Sequence, residues 1–483
     1  MSELLQNYVN GNWIPSQGTE SLELVNPATG EVQGRVPLST SADVDAAVAA
    51  ARRAFTTWRE VPAVERARYL FRYRALLEKN MDELAEILTR EHGKTLSESK
   101  GSLRRGLENV EHACGIPTLM MGESLEDVAS GIDTHTRRQP IGVFAAITPF
   151  NFPAMVPLWF WPYAVACGNT FILKASEQVP LSQARQFELI EEAGFPAGVL
   201  NLVHGGKEVV DSFCEHPGID GISFVGSSPV AEAVYRKAAA HGKRAQALGG
   251  AKNFMVVMPD ANIDSTVAAV VASCFGCAGQ RCLAGSTAIL VGDAYDIFLD
   301  RLVREASELK LGNGLDPEVN LGPVTSKRHQ QKVLDYVAKG VEEGAKLLLD
   351  GRGATVEGHE NGAWIGPCLF DEVTPEMTIG REEIFGPVLC VVRANTIDDA
   401  IALIHQSEFA NATSIFTTSG ASARTFEYAA GVSMMGINVG VAAPMAFFPF
   451  GGTKRSFFGD TKAHGRDSIH FFTDQKVVIS RWS

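Results

Sequence analysis

Val143-Phe-Ala-Ala-Ile147, Thr170-Phe-Ile-Leu173, Leu200-Asn-Leu-Val203 and Ile222-Ser-Phe-Val225 decide the fold. Each is a short, nearly continuous apolar run, the pattern of a strand buried on both faces. Amphipathic helices are predicted among them at 182–193 and 230–240. Parallel neighbours need a crossover long enough to hold a helix, so this alternation predicts a doubly wound parallel sheet. A second alternating series starts with the apolar run 254–258 and continues to about residue 437. The expected class is α/β, with two doubly wound parallel-sheet domains.

Upstream of residue 143 the pattern is helical. After a short β-like start (Tyr8-Val-Asn-Gly-Asn-Trp-Ile), Ser41 with Asp43 and Asp45 opens an Ala-rich amphipathic helix to about Trp58. A second helix is predicted over 62–91, with Leu70, Leu76, Leu77, Leu84 and Leu88 on its apolar stripe, and a third over 97–113. Two strand-like pieces lie outside the alternation: the polar, alternating segment 124–138, and the tail 467–482 with Phe471-Phe-Thr and Lys476-Val-Val-Ile-Ser. They are expected to pair with each other and with another subunit, the simpler alternative being a surface hairpin.

Three stretches carry no charge: 139–173, 265–280 and 428–453. The first contains Trp159-Phe-Trp, but Pro140, Pro149, Pro153, Pro157 and Pro162 interrupt it. A membrane-spanning helix needs about 20 unbroken apolar residues, and each proline removes an N–H donor, so buried strand, loop and short helix are predicted instead. The three stretches either meet around a dry interior site or are separate pieces of core.

Length and composition set the outer bounds. At about 150 residues per domain, 483 residues suggest two to four domains. An apolar content of 45% with 20% charged residues excludes a disordered or fibrous chain. Lys and Arg number 43 against 56 Asp and Glu, a net charge of −13, and no basic run exceeds two residues. Neither nucleic acid nor an anionic membrane is an expected partner. Eight scattered cysteines read as reduced thiols, and Met1-Ser-Glu-Leu-Leu lacks the basic and apolar regions of a signal peptide. A cytoplasmic protein is expected.

Chemistry concentrates in Phe275-Gly-Cys-Ala-Gly-Gln-Arg-Cys282-Leu-Ala-Gly-Ser. A helix-like run, 265–277, ends near Gly279, and Cys282 follows on a turn that a substrate can reach. The adjacent Arg281 is expected to favour the thiolate. Cys274 and Cys277 form a C-x-x-C, but zinc needs two more ligands and the sequence offers no second such pair. Both are assigned to the helix and to core packing, and no metal is expected.

Several motifs occur together: Thr148-Pro-Phe-Asn151-Phe-Pro153, Leu173-Lys174-Ala-Ser-Glu177-Gln-Val-Pro180, Phe224-Val-Gly226-Ser227-Ser-Pro229, Leu248-Gly249-Gly250, Gly279-Gln-Arg-Cys282 and Glu382-Glu383-Ile-Phe385-Gly-Pro387. In this order, over nearly the whole chain, they resemble the aldehyde dehydrogenase superfamily. The nearer resemblance is to its CoA-acylating methylmalonate-semialdehyde and malonate-semialdehyde dehydrogenases. It rests on Arg105-Gly-Leu-Glu-Asn-Val110, Leu119-Met-Met-Gly122, Gly250-Ala-Lys-Asn253, Ala443-Pro-Met-Ala-Phe-Phe-Pro-Phe450 and Ser456-Phe-Phe-Gly459.

The resemblance implies an NAD-binding domain of residues 1–123 and 140–250, a catalytic domain of 251–440, and oligomerisation strands at 124–139 and 467–483. It implies that Cys282 attacks the aldehyde as a thiolate, and that Asn151 and the Cys282 N–H hold the developing oxyanion. Hydride transfer to a nicotinamide then leaves an enzyme thioester. Lys174, Glu177 and Gln178 look like adenosine-ribose contacts, and an acid there favours NAD over NADP. Ser227, where a strand passes into a helix, suits the pyrophosphate. Thr148, Phe150 and Gly249 are expected on the nicotinamide side, and Glu383 and Phe385 on the nicotinamide ribose. The sequence departs from a standard Rossmann enzyme in having no G-x-G-x-x-G, and Ala231 stands where many relatives carry Gly.

One departure bears on the reaction. Hydrolytic relatives place Glu directly before Leu-Gly-Gly as the base for deacylating water, and this chain has Ala247. General-base catalysis is worth about 10²–10⁴-fold, whereas a thiol such as coenzyme A needs no such help. Arg105 and Arg281 look like a clamp for the carboxylate of malonate or methylmalonate semialdehyde. Decarboxylation would then give acetyl-CoA or propionyl-CoA. The expected protein is a homo-oligomer, dimer or tetramer. The competing readings are a hydrolytic semialdehyde dehydrogenase and a non-catalytic relative that kept the fold.

Overall fold

The computed structural model describes residues 3–482; Met1, Ser2 and Ser483, which fall within the predicted N-terminal segment and tail, lie outside the described residues. Strand Val143–Ile147 sits inside an eight-stranded sheet, in parallel between Thr170–Lys174 and Gly221–Val225. Leu200–Leu202 and Arg244–Leu248 extend the parallel set on either side. Antiparallel pieces close the edges: the hairpin Asn7–Val9 with Asn12–Ile14 at one, and Phe457–Phe458 at the other. The three central strands are buried at every position, which is why their sequences run apolar rather than alternate. Strand order reverses between Val143–Ile147 and Gly221–Val225, and the carboxyl ends of strands at such a reversal border a crevice.

The second series forms a seven-stranded sheet. Asn253–Val257 lies in parallel between Gly285–Val291 and Ala412–Phe416, with Val388–Ala394, Cys368–Asp371 and Met434–Ile437 also parallel. Only the edge strand Lys346–Leu349 runs antiparallel. A third, exposed antiparallel sheet joins Ser124–Ala129, Ile132–Pro140 and Thr473–Arg481, so the two segments outside the alternation do pair.

Two local predictions are corrected, and two elements had not been predicted. The helix expected over 62–91 is two, Ala63–Lys79 and Met81–His92. Asn80 divides them: its side chain donates to the Leu76 carbonyl at 2.8 Å and its ψ of 18° leaves the helical range. Residues 467–472 of the tail belong to helix Gly465–Phe472, and the strand begins at Thr473. Phe471 and Phe472 pack edge-on against Phe144 under the first sheet, so tertiary burial overrides their strand-like composition. Strand Arg244–Leu248 went unpredicted because Gln246 interrupts its apolar run; that amide is buried and donates to Ser223 Oγ at 2.8 Å. Helix Lys207–Glu215 also went unpredicted.

The uncharged stretch from 139 contains the central strand, a 3₁₀ turn Val156–Trp159 and the short helix Trp161–Ala166. Pro162 sits in the first turn of that helix, where its missing N–H costs nothing. Among the described residues, no helix is long and apolar enough to cross a membrane.

Candidate active site

Seven of the eight cysteines are buried; Cys282 alone is half-buried. Two cavities meet at it, one of about 390 Å³ and one of about 650 Å³. The local chain explains the placement. Helix Ile263–Phe275 stops at Gly276, and Cys277, Ala278 and Gly279 then take left-handed φ values of 52°, 51° and 71°. Cys277 therefore lies on this turn and not on the helix, which corrects the sequence assignment; Cys274 is helical and buried. The Cys282 carbonyl is gripped by Asn253 Nδ2 at 2.8 Å and Asn411 Nδ2 at 2.9 Å, from two adjacent strand ends of the second sheet. These asparagines fix the backbone of Cys282, and nothing in their spacing had pointed to that.

All three uncharged stretches line the smaller cavity. Phe152, Met155 and Trp159 come from the first, Cys277 from the second, and Val441, Ala446 and Phe450 from the third. Of the two readings offered, the stretches therefore meet at one site; they are not separate pieces of core. Arg105 and Arg281 both border it. Neither is free. Arg105 donates to Glu108 at 2.8 Å and to the Pro444 carbonyl at 2.5 Å. Arg281 donates to Glu98 Oε1 at 3.3 Å, to Cys277 Sγ at 3.3 Å and to the Ala272 carbonyl at 3.2 Å. Gly276 makes room for this guanidinium, since a Cβ there would lie 2.3 Å from Arg281 Nη1.

The larger cavity gathers the remaining predicted residues: Thr148, Phe150, Asn151, Lys174, Glu177, Gln178, Ser227, Gly249, Glu383 and Phe385. Lys174 pairs with Glu177 at 2.5 Å just beyond strand Thr170–Lys174. Ser227 is the N-cap of helix Ser228–Ala240, yet its hydroxyl caps no helix N–H. Glu383 Oε1 accepts the Ala251 N–H at 3.0 Å, and a Cβ on Gly250 would meet Glu383 Oε2 at 2.4 Å. Asn151 Nδ2 donates to the Gln280 carbonyl at 3.0 Å, which orients the amide and leaves its second N–H available.

Burial raises the Cys282 thiol to about 12, Glu383 adds to that rise, and the N–H groups of Cys282 and Leu283 and the Arg281 charge oppose it only in part. Arg281 acts in the direction expected and favours the thiolate, but desolvation outweighs it, and the guanidinium is also engaged with Glu98 and Cys277. Burial likewise lifts Glu383 to about 7.

Other contributors gave no sequence signal. Lys94 is 1% exposed; its ammonium donates to the Asn151 carbonyl at 2.6 Å and lies 3.9 Å from the Phe152 ring centroid. It holds the asparagine's main chain from beneath. His329 Nε2 donates to the Phe385 carbonyl at 2.7 Å, and the ring packs against Phe150 and Phe385. Arg328 and Lys332 line the larger cavity beside it.

The chain's resemblances agree with this geometry. A model of the aldehyde dehydrogenase family matches residues 13–478. The malonate-semialdehyde dehydrogenase 1 of Geobacillus kaustophilus is 52% identical over 479 residues, 99% of this chain and 98% of that one. The crystal structure of methylmalonate-semialdehyde dehydrogenase from Oceanimonas doudoroffii has a TM-score of 0.98 and 46% identity, covering 100% of this chain and 99% of that one. A Sinorhizobium meliloti 1021 structure complexed with NAD has the same TM-score of 0.98 and 46% identity, with coverage of 100% and 99%.

Proposed function

The chain belongs to the aldehyde dehydrogenase family, and from that premise we propose that it oxidises malonate semialdehyde, or its 2-methyl homologue, with NAD and delivers the decarboxylated acyl group to coenzyme A. One observation carries the reading. The accessible cysteine stands between an arginine-bearing apolar cavity and a larger polar one, and no carboxylate bordering either cavity is unengaged among the described residues. Glu98 holds the Cys277 N–H and Arg281, Glu108 holds Arg105, Glu177 holds Lys174, and Glu383 holds the Ala251 N–H.

The larger cavity's donor set fits NAD. Glu177 and Glu383 offer carboxylates for two riboses, Lys174 and Gln178 stand beside the first, and Ser227 at a helix N-terminus suits the diphosphate. Thr148, Phe150, Gly249 and Phe385 complete the walls near Cys282. NAD, when bound, supplies the acceptor for a hydride. The first sheet's part of the chain (1–123 and 140–250) is read as the nucleotide-binding domain and 251–440 as the catalytic domain.

Cys282 Sγ, as thiolate, adds to the aldehyde carbon and the carbonyl π pair moves to oxygen. The free N–H of Asn151 and the Cys282 N–H stabilise that oxyanion as it forms. Loss of hydride from the same carbon leaves a thioester on Cys282. The substrate's carboxylate, gripped by Arg105 and Arg281, is then β to the thioester carbonyl. Carbon dioxide can depart as the C–C bond breaks, with the resulting enolate on the same two donors, and a proton taken up from solvent at the α-carbon turns that enolate into the acyl thioester. The CoA sulfur attacks the acyl carbon, the C–Sγ bond breaks, and Cys282 is restored. Ala247 is 1% exposed and paired within its sheet, so the position that hydrolytic relatives give to a base offers none.

Exposed Val477 and Ile479 on Thr473–Arg481 support assembly into a homodimer or homotetramer through the small sheet. Scattered free thiols support a cytoplasmic setting. The function is tested by incubating the protein with malonate semialdehyde and NAD, with and without CoA, and identifying the product. Acetyl-CoA formed in step with NADH supports the reading; a free acid formed equally well without CoA contradicts it.

A further inference from the structure

His464 also borders the smaller cavity, and it is unlike the other residues there. It is 3% exposed, and neither ring nitrogen has a hydrogen-bond partner. Its ring is wedged between Trp159, with centroids 4.9 Å apart and planes at 82°, and Phe450 at 5.4 Å. The backbone is strained as well. A φ of 69° with ψ of 173° falls in a region that is essentially reserved for glycine. Neighbouring contacts impose it: Ala463 and Phe450 exchange two main-chain hydrogen bonds of 2.6 and 3.0 Å, and the Gly465 N–H donates to the Ala446 carbonyl at 2.9 Å.

A buried polar ring without partners and a glycine-only backbone angle both work against folding, and an apolar side chain or glycine would avoid one or both. Such a residue is explained when a ligand completes it. Burial, with the charges of Arg105 and His112, holds the imidazole neutral, its pKa lowered to about 3, so the ring keeps one N–H donor. Arg105 borders the same cavity.

We infer that His464 is a specificity-determining residue that donates a hydrogen bond to the substrate's carboxylate beside Arg105. The inference rests on the semialdehyde reading of the site. A carboxylate offers several acceptor sites, so it can accept from Arg105, Arg281 and His464 together. Cys282 borders the same cavity, so an aldehyde carbon at Cys282 and a carboxylate at the arginines and His464 share one space. Trp159 and Phe450 fix the ring. An uncharged aldehyde would gain nothing from this donor.

The test measures KM and kcat for malonate semialdehyde and for propanal in the wild-type protein, His464→Phe and His464→Asn, with thermal unfolding as the check on folding. A charge-assisted hydrogen bond predicts a KM for malonate semialdehyde raised on the order of tenfold in His464→Phe. Its kcat should change little and its kcat/KM for propanal should be unchanged or higher. His464→Asn keeps an N–H donor and is expected to recover part of the lost affinity. An unchanged KM in a folded His464→Phe, or equal losses for both aldehydes, overturns the inference. Failure of the wild-type protein to use malonate semialdehyde would instead overturn the functional reading on which it rests.

Discussion

The two cavities that meet at Cys282 differ in where their walls come from. The larger one is built mainly at the ends of regular elements. Lys174 closes a strand, Ser227 opens a helix, and Gly249 directly follows strand Arg244–Leu248. The smaller one is assembled from parts far apart in the chain: helix Leu96–Cys114, the loop around Phe152, the turn at Cys277, and the segment from Val441 to His464. A cavity made from strand ends presents backbone N–H groups and short polar side chains in fixed places. One made from converging loops has to hold its charged groups by pairing them, and Arg105 and Arg281 are both paired before any substrate arrives.

Substitutions at the shared point have the largest expected effects. Cys282→Ala removes the one half-buried thiol among the described residues, the proposed nucleophile, and NADH formation is expected to fall by roughly 10⁵–10⁶-fold. Asn151→Ala removes one oxyanion donor and is expected to lower kcat by about 10²–10³-fold with a smaller change in KM. If Asn151→Ala changed KM alone, the amide would belong to binding and not to the transition state.

The next prediction separates the two cavities. Glu98→Gln weakens the hold on Arg281, and Arg281→Leu removes the charge itself. Each is expected to raise KM for malonate semialdehyde on the order of tenfold. Neither should alter the KM for NAD, because these residues border only the smaller cavity. Steady-state kinetics with both substrates varied checks this; a parallel rise in the KM for NAD would show that the cavities are not independent.

How much of this was readable from sequence follows the same division. The parallel strands and the motifs at their ends were legible because burial on both faces leaves continuous apolar runs. Arg244–Leu248 was missed because a buried Gln246 is satisfied by Ser223, a partner that no local pattern reveals. Arg105 and Arg281 were found as residues, but their engagement with Glu108 and Glu98 was not foreseen. Those pairs depend on side-chain reach and on the loops being brought together. Asn253 and Asn411 lie 158 positions apart and act on one carbonyl, a relation that only the folded sheet creates.

The thiol itself gives a test that is independent of turnover. With burial and Glu383 raising Cys282 to about 12, its thiolate fraction lies on the rising limb throughout the neutral range. Alkylation of Cys282 by iodoacetamide is expected to accelerate about tenfold per pH unit from pH 7 to 9. Glu383→Gln removes a negative neighbour, lowers the thiol's pKa, and is expected to speed alkylation at any pH in that window. A flat pH profile would mean that a cation near the sulfur outweighs desolvation.

The smallest expected effect concerns support beneath the site. Lys94→Met keeps the stem but leaves the Asn151 carbonyl without its donor. A stability loss of about 1–3 kcal/mol is expected from urea unfolding midpoints. The kcat should fall further than that loss alone explains, since Asn151 would no longer be held.

The most direct test of the central claim, that the acyl group waits on Cys282 for a thiol because no base serves water, is a rapid-mixing experiment without CoA. Enzyme in known amount is mixed with saturating NAD and malonate semialdehyde, and NADH is followed before and after CoA is added. The account predicts a burst of about one NADH per active site, a near-stall, and steady turnover once CoA arrives. Steady NADH production at the same rate before CoA is added would contradict it.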